Sequence, residues 1–154
     1  MAKGQLATFQ FVRYSLRSFE FKVHDLDSRS AEGPRRFDVV LQRAVSDPLP
    51  IAQTDETSPS LFKVAVELDV SIDWATSPAP FELNARMRGM FSFPQDLPEE
   101  DVTRLCRYHA PALLYAQLRP IVRMHAAEAE VTGFTLPLIN VTETLKQSDA
   151  DTDN

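Results

Sequence analysis

At 154 residues, 44% of them hydrophobic and 25% charged, the chain has the make-up of a single folded domain. A compact fold of this length hides roughly two-thirds of the unfolded surface, so no disulfide or metal is needed to hold its core together. Sixteen basic against 22 acidic side chains give a net charge of −6 and a pI near 5.0, which repels phosphate backbones and argues against nucleic acid as a partner.

The start, Met1-Ala2-Lys3-Gly4-Gln5, leads into no signal-peptide core. No apolar run approaches the roughly 20 residues of a membrane span, so no membrane insertion is expected. With one cysteine, Cys106, there is no internal disulfide framework, and a reducing, cytoplasmic setting is expected.

In chain order, the first segment changes phase twice. Phe9 and Phe11 set one alternation, Val12, Tyr14 and Leu16 take the other, and Phe19, Phe21 and Val23 return to the first. A strand with a bulge, or one buried on both faces, would read this way. Phe37, Val39, Leu41 and Val45 alternate with Asp38, Gln42 and Ala44 in a second strand, although Arg43 falls on the apolar side and Val40 on the other. The connections 24–36 and 46–60 carry Gly33, Pro34, Pro48, Pro50 and Pro59 without periodicity and read as loops.

Residues 62–74 give the cleanest period of two: Phe62, Val64, Val66, Leu68, Val70, Ile72 and Trp74 share one face. Phe81, Leu83, Ala85, Met87, Phe91 and Phe93 form the apolar face of a partner strand, and the pair reads as a hairpin. After Pro94 the period lengthens. Asp96 is a cap candidate, Pro98 and three acids follow, and a helix is expected from about 98 to 131 with Gly133 as its stop. Its apolar stripe reads Val102, Leu105, Cys106, His109, Leu113, Ala116, Gln117, Ile121 and Met124. Pro111 and Pro120 should kink or split it. A short helix over 141–147 precedes a polar, acidic end, 146–154, expected to be disordered and solubilising or a flexible arm for a basic partner.

Chemistry is sparse. Cys106 and His109 lie three apart on one helix, close enough for a thiol and its base, but a lone thiol on an apolar stripe behaves as a small hydrophobe. HExxH, GxSxG, GxxxxGK and GxGxxG motifs are absent, and four glycines leave little material for a phosphate loop. Cys106, His109 and His125 cannot close a zinc sphere unaided. No catalytic site, metal or cofactor is expected. What stands out is apolar surplus: ten phenylalanines, three tyrosines and one tryptophan exceed what four strands and one helix can hide. Oligomerisation or a groove for apolar ligands would use the remainder.

Several short segments resemble the SecB family of tetrameric cytosolic export chaperones, over roughly residues 9–145. Ala110-Pro111-Ala112-Leu113-Leu114-Tyr115-Ala116-Gln117-Leu118-Arg119 is similar to the family's Cys-Pro-x-x-Leu-Phe-Pro-Tyr-Ala-Arg helix. Gly133-Phe134 and Leu136-Pro137-Leu138-Ile139-Asn140-Val141 resemble its Gly-Phe-Pro and Pro-Ile-Asn-Phe ending. Phe9-Gln10-Phe11-Val12-Arg13, Phe19-Glu20-Phe21 and Gly89-Met90-Phe91-Ser92 match shorter motifs in the family's order.

The resemblance implies an α+β protomer: a four-stranded antiparallel sheet, then a long kinked helix and a short C-terminal helix, assembling as a homotetramer, a dimer of dimers. It implies an ATP-independent holdase that keeps polypeptides unfolded for export or delivery, over a domain spanning 1–145. Val39, Leu41, Phe134, Leu136, Ile139, Val141 and Leu145 would line the client groove. The positions that dock the SecA motor in the family are Ser18, Lys22, Glu82 and Asn84 here, so two acids are lost and one is replaced by lysine. A dedicated chaperone of an antitoxin, in a toxin–antitoxin system, is the alternative within the same resemblance.

Overall fold

The computed structural model describes residues 8–24, 36–75, 79–131 and 133–152. Five strands, β1 (Gln10–Val23), β2 (Phe37–Val45), β3 (Leu49–Pro50), β4 (Leu61–Trp74) and β5 (Phe81–Pro94), form one antiparallel sheet in the order β1-β5-β4-β2, with β3 also on β4. The helical layer follows: α1 (Glu99–Arg104), a π-helical turn at Leu105–His109, α2 (Ala110–Glu128) and α3 (Val141–Thr152). The α+β class, the hairpin of β4 with β5 and the short final helix are as expected. Apart from its two ends, the 24–36 connection lies outside the described residues.

β5 shows why the sheet has one dry face. Phe81, Leu83, Ala85, Met87, Gly89, Phe91 and Phe93 are all buried, while the residues between them face outward. β4 follows suit, with Val64, Val66, Leu68 and Val70 nearly inaccessible. In β1 the pairing to β5 slips between Phe11 and Arg13, and again between Leu16 and Ser18. Val12 and Arg17 are the extra residues, so two bulges absorb both phase changes. Phe11, Tyr14, Leu16, Phe19 and Phe21 consequently oppose Phe91, Gly89, Met87, Ala85 and Leu83, the three phenylalanines half-buried and Tyr14 and Leu16 left exposed.

The connection 46–60 differs from expectation in containing β3. β2 pairs with β4 only as far as Val66, and Leu49–Pro50 continue that edge opposite Lys63 and Phe62. Proline is tolerated there because an edge residue can leave its N–H side unpaired.

The helix differs more. α1 starts after Pro98, whose position carries no side-chain cap, so Asp96 is not the cap; Glu99, Glu100 and Asp101 occupy the first turn. The interruption expected from Pro111 is the π turn just before it, where Ala110 N–H reaches back to Leu105 O; Pro120 sits inside α2 without ending it. A π turn inserts one residue, which rotates everything downstream. The buried stripe of α2 is Ala110, Leu114, Leu118, Val122 and Ala126, spaced by four residues and out of step with the expected series. Leu113 and Met124 face solvent instead. Leu114 sits over Gly89, where a Cβ would come within 2.7 Å of its Cδ2, so glycine permits this approach of helix to sheet.

α2 ends at Glu128 and is closed at Glu130 rather than at Gly133. Glu130 takes φ 60°, its N–H bonds Ala127 O, and Val131 N–H bonds Ala126 O at 2.8 Å, a Schellman closure built on a non-glycine residue. Gly133 also has a positive φ but lies beyond the end of the helix.

The phenylalanines are not the surplus. Phe21, Phe37, Phe81 and Phe134 pack with Trp74 at one end of the sheet, and Phe9, Phe11, Phe62, Phe91 and Phe93 stack at the other. Exposed apolar area comes instead from Val12, Tyr14, Leu16, Leu113, Met124 and Leu138. Among the described residues no helix is long and apolar enough to cross a membrane.

Candidate functional site

The chain after α2 returns across the helical layer in extended form. Leu136 is wholly buried, Tyr115 OH donates to Pro137 O and Arg119 Nε donates to Leu136 O, both at 2.9 Å. Leu138, directly after these anchors, is 84% exposed. Asn140 starts α3, its Oδ1 accepting the Glu143 N–H. Val141 and Leu145, one turn apart, are the buried contacts of this helix.

α3 does not end where the sequence suggested. It continues through Thr152, across the stretch expected to be a disordered tail. The reason lies in the residue that broke the alternation of β2. Arg43 lies on the dry face with its side chain only 9% exposed, and its Nη2 donates to both carboxylate oxygens of Asp149 at 2.8 and 2.6 Å. Tyr108 OH donates to Asp149 at 2.9 Å and Arg107 approaches at 3.3 Å. The Arg43 guanidinium also lies 5.2 Å from the Tyr108 ring centre. Partial burial pushes the Asp149 carboxyl up, but the hydrogen bonds from Arg43 and Tyr108 and the charges of Arg43 and Arg107 outweigh it, holding the group below its ordinary range. An acid on the final helix thus neutralises a cation that β2 would otherwise bury alone.

Open space flanks α3 on both sides. An open cavity of about 520 Å³ lies beside the Arg43–Asp149 contact of β2 with α3, lined by Leu41, Val45 and Leu145 and by the polar Gln42, Arg107 and Ser148. A second, of about 780 Å³, lies between α3 and the start of the long helix, lined by Glu99, Tyr108, His109, Thr142 and Lys146 among others. β2 borders the first cavity and is an edge strand of the sheet. Among the described residues nothing pairs its outer edge, so one wall offers backbone groups without a strand partner, the other a lightly anchored helix.

Of the residues expected to line a client groove, Leu41, Leu136, Val141 and Leu145 belong to one buried cluster, with Val39, Phe134 and Ile139 packed against it. That cluster is the general core of the protein, so membership in it does not mark a groove. Only Leu41 and Leu145 also reach the cavity beside β2. The expected docking positions share the opposite, outer face of the sheet: Ser18 stands across from Arg86, Lys22 across from Glu82, and Asn84 beside them. Glu82 also meets His24 at 3.1 Å. Arg43, Asp149, Tyr108 and Arg107 were not singled out beforehand; the signal available was Arg43 standing in an apolar register.

Nucleophilic chemistry finds no support in the geometry. Cys106 is 2% exposed and burial pushes its thiol up to about 11, leaving it protonated at neutral pH. His109 lies on the surface and lines the larger cavity. Among the described residues no three His, Cys, Asp or Glu side chains gather as metal ligands.

No protein-family model and no curated protein matches the chain. Solved structures do. The Mycobacterium tuberculosis Rv1957 SecB-like chaperone, in complex with a ChAD peptide from the Rv1956 HigA1 antitoxin, is 16% identical, with a TM-score of 0.58 over 86% of this chain and 91% of that one. A protein of unknown function from Streptococcus agalactiae is 14% identical, with a TM-score of 0.42 over 84% of this chain and 97% of that one. The chain thus shares the fold of a SecB-like chaperone.

Proposed function

We propose that this chain is an ATP-independent chaperone that holds extended, non-native polypeptide segments in the cavity between β2 and α3. The observation that carries the reading is the juxtaposition there of a small apolar floor, Leu41, Val45 and Leu145, set among the polar Gln42, Arg43, Arg107, Ser148 and Asp149, with the edge of β2 that no described strand pairs. Hydrogen bonds to a strand edge are indifferent to client sequence, and the apolar floor adds burial with any hydrophobic side chain. The SecB-like fold supports the same reading. Binding the unfolded state retards a client's folding by mass action, so no nucleotide is needed. A net charge of −6 favours basic clients.

Self-association as a homotetramer, a dimer of dimers, would cover Tyr14, Leu16, Leu113 and Met124, which a single copy leaves exposed. Delivery to the SecA motor through Ser18, Lys22, Glu82 and Asn84 would have to proceed without the family's acidic docking chemistry.

The test is aggregation of a reduced, unfolded model protein followed by light scattering. Stoichiometric amounts of the chaperone should suppress scattering; unchanged scattering would overturn the reading. A second reading, a dedicated chaperone of one antitoxin, is favoured by the antitoxin peptide bound to the neighbour of like fold. It predicts tight binding of one short segment and no suppression with unrelated chains.

A further inference from the structure

The outer face of the sheet, away from all helices, is polarised. At its far end stand Glu20, Asp73 and Glu82 with the expected docking positions. Around Arg13 the character inverts. Arg13, Arg17, Lys63 and Arg88 surround a cavity of about 620 Å³, with Met90 and Leu49 at its apolar boundary. The register fixes the arrangement: Arg13 stands opposite Met90, Arg88 is flanked by Ser15 and Glu67, and Lys63 is flanked by Ser92 and Leu49. Arg88 meets Glu67 at 3.9 Å, and among the described residues Arg13, Arg17 and Lys63 have no ion-pair partner. Further along the same face the corresponding cation is matched, Arg86 holding Asp69 at 2.6 Å. Three unmatched cations converging on one concavity is a large local departure for a protein of net charge −6.

We propose that this basic concavity docks a short acidic polypeptide segment of a partner protein, one carrying an apolar side chain among its acids. The cations supply the charge complementarity and steer encounter, and the Met90–Leu49 boundary receives the apolar side chain. The protein's own negative field disfavours a long polyanion, whose remaining charges would lie against acidic surface, and so selects a short acidic stretch. The site lies on the opposite face from the α3 cavities and does not depend on their proposed role.

The probe is a fluorescein-labelled peptide of alternating glutamate with leucine and glycine, read by anisotropy, beside the same peptide with lysine for glutamate. The acidic peptide should bind, the lysine peptide should not, and raising salt from low to physiological strength should weaken binding by about tenfold or more. Exposed charge reversals Arg13→Glu and Lys63→Glu together should weaken it at least about tenfold, while Asp73→Asn at the other end of the face leaves it unchanged. Circular dichroism confirms that each variant is folded. Equal binding of both peptides, or no effect of the double reversal, would overturn the proposal. So would a single-stranded oligonucleotide binding as tightly and losing affinity in the same variants, or a native mass that falls on double reversal, which would assign the patch to self-assembly.

Discussion

The β4–β5–α2 sector and the β2–α3 sector are held together by different physics. In the first, Val64, Val66, Leu68, Met87, Phe91, Leu114, Leu118 and Val122 are sealed from water, and a Cβ at position 89 would force the Leu114 and Phe91 side chains to shift. In the second, α3 is fixed by two buried aliphatic side chains and one carboxylate shared among Arg43, Arg107 and Tyr108, with open cavities on either flank. Close packing makes a rigid frame. A few apolar contacts and a charged contact, bordered by space, make an element that can open locally at lower cost than the frame. The proposed client site lies where those two regimes meet.

The sharpest way to break this contrast is to damage the frame. Leu118→Ala removes a fully buried side chain beneath α2 and should cost about 2–5 kcal/mol, lowering the denaturant midpoint of the whole protein. If unfolding remained unchanged, the sealed core would not be what holds the protein together. Asp149→Asn should cost less, about 1–3 kcal/mol, because it weakens charged hydrogen bonds and leaves Arg43 poorly matched. Its signature is local: amide exchange should quicken in 141–152 while β4 and β5 stay protected. Uniform loosening of the sheet would erase the distinction between the sectors.

Acid should do reversibly what that substitution does. Because Asp149 titrates below its unfolded value, its contribution is complete at neutral pH and is lost as pH falls below about 4 through the folded value. Pepsin should then cut within α3 before it cuts the sheet, and Asp149→Asn should show those cuts at a higher pH. Glu130→Gly makes the smallest change. It relieves a left-handed non-glycine residue at the end of α2 and should stabilise by up to about 1 kcal/mol, leaving client holding untouched. Destabilisation would show that the Glu130 side chain, not its backbone, closes the helix.

Much of the frame could be read from residue order, because alternation at 62–74 and 81–93 has a single structural meaning when one face is dry. The double phase change in β1 likewise announced its bulges. The π turn did not announce itself. Pro111 marked an interruption, but the sequence offered two apolar rows, and the one that is buried, Cys106–Ala110–Leu114–Leu118, is spaced by four residues and is not the His109–Leu113–Met124 row. At the candidate site, Leu41, Leu136, Val141 and Leu145 were recognisable as apolar partners, yet apolarity alone does not distinguish a groove wall from a core. Arg43 was visible as a misfit. Its partner was hidden in an acidic end whose composition suggested disorder, since a composition argument is blind to a single tertiary ion pair.

Hydrogen exchange of the full chain with and without a permanently unfolded, reduced client tests the central claim most directly. The account predicts new protection along Phe37–Val45 together with altered exchange in Val141–Thr152, and no change on the outer face of the sheet. A client that binds yet protects only other parts of the sheet, leaving β2 and α3 as they were, would contradict it.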